Sequence, residues 1–264
     1  MRHSDLRKIG LARALSKLGY CSRSQAAELI RAGRVRLNGA VRRDPETPVR
    51  TGHDRIAVDG LRVESAQKVY LVMNKPRGLV TTASDEKGRD TVYSILAGTA
   101  LPWVAPVGRL DKASEGLLLF TNDSEWGARV MAPETHLEKT YHVQIDRVAD
   151  QEFMQKMVRG VEAEGGECLQ TSKCRLLRSG EKNCWLEITL EEGKNRQIRR
   201  MLEIQGAEVL RLVRVAIGPL ELGALGKGAC RPLTADEKLA VDRAMLSGPE
   251  TRHPQGREGS RRKN

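Results

Sequence analysis

The chain is 264 residues long, with 45 Lys and Arg against 34 Asp and Glu, a net charge of +11 at pH 7 and an isoelectric point near 9.7. That length suits one large or two modest domains, and the excess of positive charge favours a polyanionic partner. No apolar stretch approaches a membrane span, and the five cysteines and five histidines form no Cys-x-x-Cys pair or other zinc-like spacing. An odd number of cysteines without a secretory signal fits free thiols, so a cytoplasmic protein is expected.

The charge is unevenly placed. Residues 1–66 hold 14 Lys and Arg against 7 Asp and Glu, residues 251–264 hold 5 against 1, and residues 67–250 hold 26 of each. A balanced body is therefore flanked by two basic segments. Basic termini alone would serve solubility, whereas a basic folded module points to nucleic acid.

Leu11, Ala12, Leu15 and Leu18 recur at helical spacing, which predicts a helix over 9–19. Ser22 with Gln25 is a capping box for a second helix through Ala26, Leu29 and Ile30, and Gly33 is placed to end it. Val35 to Leu37, the Asn38-Gly39 pair and Ala40-Val41 read as a strand, a type I′ turn and a returning strand. Arg55 to Val58, before Asp59-Gly60, gives one more strand, and polar residues 61–68 read as a linker. Beyond it strands are expected near 69–74, 105–110, 117–121, 139–145, 184–191 and 208–215. Helices are expected near 91–97, 124–131, 150–159, 195–205 and 234–246. Thr234 with Glu237 is a second capping box, and Gly206 marks a helix stop. Regular strand–helix–strand alternation is scarce, so the fold class is α+β, with a mostly antiparallel mixed sheet flanked by helices. Residues 248–264 are almost devoid of apolar side chains and are expected to be disordered.

The two helices and small hairpin sheet, with the run from Leu18 to Gly39, closely resemble the S4-type RNA-binding module. In that module the second helix and the turn after it track the RNA backbone. The matching positions here are Arg23, Gln25, Arg31, Arg34, Arg36 and Asn38. Several phosphate contacts give salt-dependent affinity with little sequence choice. Each arginine alone reads as a solvated surface residue; together they form a footprint.

Asp111 lies in the run Gly108-Arg-Leu-Asp111, shortly before the bulky residues Leu117 to Phe120. Four such residues suit a buried strand and are too few for a helix. A carboxylate at the mouth of a core strand is well placed for chemistry on a rigid scaffold. On spacing alone, however, it reads first as a solvated loop residue.

The segment from Gly108 to Asp123 resembles the signature of the ribosomal RNA pseudouridine synthases of the RsuA type. Met73 to Gly78, Glu138 to Tyr141, Glu192 to Met201, Ile217 to Leu220, Gly228 and Arg231 to Thr234 match further family segments in the same order. The resemblance implies an S4-type domain over 8–66 and a catalytic domain over 69–246; the basic tail over 248–264, read from composition, matches no family segment. Ser114 stands where the family usually has Thr, and Ser124 where Gly is common. Glu192 to Met201 looks nearer the large-subunit, 23S-directed branch than the 16S-directed one.

The implied reaction is an isomerisation of uridine in ribosomal RNA. It breaks the C1′–N1 bond, rotates the base and rejoins it through C5, and needs no metal, nucleotide or flavin. By resemblance Asp111 is the catalytic carboxylate, either attacking the sugar or removing a sugar proton. Arg199 is expected to pair with it, opposing the neutralising effect of burial. By pattern alone Arg199 is only a basic residue beside the inward helical face of Ile198, Met201 and Leu202. Tyr141 shares a strand face with Val143 and Ile145 and by pattern is an ordinary core residue. The resemblance makes it the ring that stacks on an extruded uracil, with a hydroxyl available for proton transfer. Arg109, Lys112, Lys194, Arg196 and Arg200 are expected to meet phosphates around the flipped nucleotide, which favours a locally unpaired target. The expected partner is ribosomal RNA, met by a monomer without membrane or metal. The competing readings are a synthase for 16S RNA and a non-catalytic RNA-binding assembly factor. A tRNA synthetase or methyltransferase lacks support, because no Gly-rich nucleotide loop is present.

Overall fold

A computed structural model describes residues 8–83 and 85–247. The expected disorder of 248–264 falls outside the described residues.

The N-terminal part runs β1 (Lys8–Gly10), α1 (Leu11–Lys17), α2 (Arg23–Arg31), β2 (Val35–Leu37), β3 (Ala40–Arg42), β4 (Pro48–Arg50), β5 (Ile56–Val58) and β6 (Leu61–Arg62). Ser22 Oγ accepts from the Gln25 N–H and Gln25 Oε1 accepts from the Ser22 N–H, so both donors are satisfied where α2 begins. Leu11, Leu15, Ala26 and Ile30 pack on Val35, Ile56 and Val58 in one core. Asn38 and Gly39 both adopt positive φ, 52° and 86°, as the tight turn between β2 and β3 requires. The small sheet is antiparallel in the order β3-β2-β5-β6. Leu61 and Arg62, expected in a linker, instead form β6. Asp59 and Gly60, at φ 49° and 83°, turn the chain back onto β5, and the Val63 N–H bonds to the Ile56 carbonyl.

The larger part contains β7 (Tyr70–Lys75), β8 (Ala105–Val107), β9 (Glu115–Thr121), α3 (Ser124–Met131), β10 (Lys139–Ile145), α4 (Gln151–Arg159), β11 (Val161–Glu162), β12 (Cys168–Leu169), β13 (Lys173–Ser179), β14 (Cys184–Leu190), α5 (Gln197–Ile204), β15 (Val209–Ile217), β16 (Leu220–Glu221), β17 (Cys230–Pro232) and α6 (Ala235–Leu246). Its sheet follows the order β13-β14-β10-β15-β9-β7-β17, with β16 beside β15 and β8 beside β9. Every pairing is antiparallel except that of β9 with β15, which makes the sheet mixed.

All seven residues of β9 are buried. Its side chains alternate between two cores, as strand geometry dictates. Leu118 and Phe120 join Tyr141, Ile188, Ile198 and Met201 on one face. Leu117 and Leu119 join Trp126 and Val241 beneath α3 and α6 on the other. The segment 91–97, expected to be helical, makes only a 3-10 turn at Val92–Ser94. The Ser94, Leu96 and Thr99 N–H groups each bond to the carbonyl three residues earlier, and Gly98 at φ 75° breaks the run. β13 was not anticipated, because most of its residues are exposed at the sheet edge and show no apolar alternation.

The two parts touch directly. The Trp103 N–H bonds to the Gly19 carbonyl, and Lys17 lies 3.1 Å from Glu125. Among the described residues no helix is long and apolar enough to cross a membrane.

Candidate active site

Asp111 sits on the turn that leads from β8 into β9, and that turn is tied to the scaffold by backbone groups. The Ser114 N–H bonds to the Asp111 carbonyl at 2.9 Å and the Gly78 N–H to the Lys112 carbonyl at 2.8 Å. Thr81 Oγ1 donates to the Leu110 carbonyl at 2.7 Å. The tightest anchor is Lys75, at the end of β7 and 0% exposed. Its Nζ donates to the carbonyls of Pro76, Asp111 and Ser114 at 3.1, 3.1 and 2.9 Å. Burial pushes its pKa down to about 8, against the opposing pull of Asp111 and Glu115. Lys75 belongs to the run Met73 to Gly78, yet no role was assigned to it. The available signal was a lysine two residues past the apolar run Tyr70 to Met73.

Asp111, Tyr141 and Arg199 line one cleft of about 480 Å³, together with Arg109, Lys194 and Arg196. Lys112 and Arg200 do not line it. Arg196 adopts a left-handed conformation, φ 48° and ψ 30°, immediately before α5. That conformation costs a non-glycine residue of the order of 1 kcal/mol and tends to mark functional positions. Its Nη1 lies 3.6 Å from Asp111 Oδ2. The expected direct partner, Arg199, does something else: its Nη2 donates to the Ala113 carbonyl at 3.4 Å, and its Nε is buried without an acceptor. Burial, then repulsion from Arg196, lowers the Arg199 pKa, while Asp111 raises it and Arg77 lowers it further. The ion pair thus belongs to Arg196, because the left-handed residue ahead of the helix is free of the helical side-chain rows. Arg199 contributes its charge from deeper in the cleft.

Tyr141 is 9% exposed on β10, on the same face as Val143 and Ile145. Its cross-strand partner on β15 is Arg214. Arg214 and Lys139 also line the cleft; sequence reasoning assigns neither a site role, although Lys139 falls in the matching segment Glu138 to Tyr141. Lys139 had a readable signal, since it lies two residues before Tyr141 on an alternating strand.

Several expected RNA contacts are engaged within the chain. Arg200 lies 2.7 Å from Glu167, and Lys194 lies 3.2 Å from Glu192 and 3.6 Å from Glu167. Arg34 pairs with Asp59 at 2.5 Å. Arg36 donates to the Gly39 carbonyl, Asn38 holds Asp54 and the Arg55 N–H, and Gln25 completes the helix cap. Arg23 and Arg31 are exposed and form no ion pair among the described residues.

A mixed, mostly antiparallel sheet that holds a carboxylate, a tyrosine and several cations in one cleft, beside a basic helical module, is the architecture of an RNA-modifying enzyme. The chain belongs to the RNA pseudouridylate synthase family, whose profile matches residues 69–204, and an S4 domain profile matches residues 9–56. It is 38% identical over 229 residues to the ribosomal large subunit pseudouridine synthase B of Bacillus subtilis (strain 168), covering 86% of this chain and 93% of that protein. It is 36% identical over 239 residues to an uncharacterized RNA pseudouridine synthase of Aquifex aeolicus (strain VF5), covering 90% and 95%. The crystal structure of a pseudouridylate synthase matches with a TM-score of 0.62 at 27% identity, covering 88% of this chain and 99% of that one. The expected fold, an S4 domain followed by an α+β synthase domain, is the one observed.

Proposed function

We propose that the enzyme converts one uridine of large-subunit (23S) ribosomal RNA to pseudouridine, with Asp111 as the essential carboxylate. The convergence of Asp111, Tyr141, Arg196 and Arg199 in one cleft carries this reading. The likeness to the large-subunit synthase of Bacillus subtilis supports the 23S target.

Asp111 acts at the sugar. Arg196 at 3.6 Å and the half-buried Arg199 place positive charge beside it. Tyr141 stacks on the extruded base and offers a hydroxyl near C5. Arg109 at the cleft and Lys112 on the same turn take phosphates beside the flipped nucleotide. Lys194 and Arg200 join them by exchanging Glu167 for phosphate, and Arg23, Arg31, Arg34 and Arg36 take the flanking RNA. The S4-type unit spans 8–66 and the catalytic unit 69–246. The enzyme works as a monomer, and in the cytoplasm, a compartment that five free cysteines fit.

Mapping pseudouridine across ribosomal RNA from a strain lacking the gene tests the proposal. One 23S position is expected to revert to uridine, and wild-type protein but not Asp111→Asn restores it. An unchanged 23S map, or a loss in 16S RNA instead, overturns the target assignment.

A further inference from the structure

Cleaving the C1′–N1 bond creates a charge that Asp111 and its arginines do not meet. The bonding pair leaves with N1, so the base departs as a uracil monoanion whose charge spreads onto its carbonyl oxygens. This is true whether Asp111 attacks C1′ or removes a sugar proton. The anion then has to stay in the cleft while C5 turns toward C1′. C5 supplies the pair for the new C–C bond, and Asp111 leaves C1′ or the sugar proton returns. C5 loses its proton and N1 gains one, so no atom or electron is added overall.

Two buried cations line the same cleft as Asp111 and Tyr141. Lys139 is 9% exposed and Arg214 5%. Lys139 precedes Tyr141 by two residues, in an alternating strand that buries both. Arg214 faces Tyr141 across the β10–β15 pairing. Neither forms an ion pair among the described residues. Lys139 Nζ reaches only the Glu191 carbonyl, at 3.3 Å, and Arg214 Nε the Leu117 carbonyl, at 2.7 Å. Arg214 Nη2 is buried with no acceptor at all. Burial, then repulsion from Arg214, lowers the Lys139 pKa. Two adjacent like charges withdrawn from water destabilise a fold unless an anion is present to meet them. Fixed donors aimed at developing charge in a dry site are the strongest single device for lowering a barrier.

We infer that Lys139 and Arg214 form an anion cradle that receives the detached uracil ring through its carbonyl oxygens and stabilises it as a leaving group. This rests on the proposed reaction and gives four of the cleft's cations two separate tasks. Arg196 and Arg199 serve Asp111; Lys139 and Arg214 serve the base.

The test varies the leaving group. Loss of the target nucleoside is followed under single-turnover conditions in RNA carrying uridine or 5-fluorouridine at the site, the fluorine making the departing anion more stable. Lys139→Gln and Arg214→Gln are each expected to slow the uridine reaction about 100-fold with RNA affinity little changed, and Lys139→Arg to retain most of the rate. With 5-fluorouridine the deficit is expected to shrink about tenfold. Equal deficits for the two bases sink the cradle, and a loss confined to RNA affinity would assign both cations to a backbone phosphate instead. Should Arg214→Gln fail to fold, Lys139→Gln and Arg214→Lys carry the same comparison, with thermal melting as the control. An active Asp111→Asn protein would refute the underlying reading of the site. An inactive one, with equal deficits in the cation variants, removes only the cradle.

Discussion

Arg196 Nη1 lies 3.6 Å from Asp111 Oδ2, while Arg199, three residues further on, reaches the Ala113 carbonyl. The first arginine is half exposed, and solvent and salt screen such a pair strongly. The second is more deeply buried, where a charge acts through less water. Arg199→Gln is therefore expected to lower the single-turnover rate about 100-fold and Arg196→Gln only about tenfold. Added salt should reduce the wild-type advantage over Arg196→Gln more than that over Arg199→Gln. Equal losses, or a larger one for Arg196→Gln, would show that the direct ion pair carries the effect.

Lys75 makes stability depend on alkaline pH in an unusual direction. Its pKa falls from 10.5 to about 8 on folding, mainly through burial. Between those values the unfolded chain holds a proton that the folded one has released. The stability difference between wild type and Lys75→Met should therefore shift in favour of wild type as pH rises from about 8 to about 10.5, and stay flat below that window. At neutral pH Lys75→Met leaves three carbonyls around Asp111 without their donor, and a loss of about 2 kcal/mol is expected, with slower turnover. Urea unfolding of both proteins across this range checks the sign. A difference that narrows with rising pH contradicts the assignment.

The parts of the fold legible in the sequence are those with local chemical punctuation. α2 and α6 begin at capping boxes, Ser22 with Gln25 and Thr234 with Glu237. β9 announces itself by the apolar run Leu117 to Phe120. β13 and β17 carry no such mark, since an edge strand is defined by its neighbour rather than by its own burial. The site divides in the same way. Asp111, Tyr141 and Arg199 read as ordinary residues by pattern and take a site role only through the family resemblance of the runs around them; the cleft brings all three together. Lys75, Lys139 and Arg214 depend on burial, and Arg196 on a backbone angle, which residue order alone does not display.

Gly116 joins β9 to β15 at the one parallel pairing of the large sheet. Its φ is +103°, and a Cβ there would overlap the Arg214 backbone carbonyl. Side chains are disfavoured at that angle, and the Arg214 atoms in the way are sheet backbone that cannot yield. Gly116→Ala is expected to cost about 3 kcal/mol, beyond the usual range for a surface change. Since the displaced residue is Arg214, catalysis should fall further than stability alone explains, even where the protein remains folded. A denaturation midpoint within error of wild type would rule out the close approach.

The salt dependence of RNA binding separates free cations from engaged ones. Arg23 is exposed and forms no ion pair among the described residues, whereas Arg34 is held by Asp59 at 2.5 Å. A free arginine that neutralises one phosphate contributes about 0.7 to 0.9 to the slope of log affinity against log salt. Arg34 must first give up a carboxylate, so its net contribution is smaller. Arg23→Gln is therefore expected to reduce the slope by about that amount, and Arg34→Gln by less than half of it. Asp59→Asn should move Arg34 the other way and steepen the slope, because it frees the guanidinium for phosphate. Fluorescence anisotropy with labelled ribosomal RNA over a salt series measures all three. A slope unchanged in Arg23→Gln would remove the start of α2 from the RNA path, and one unchanged in Asp59→Asn would show that Arg34 serves the fold alone.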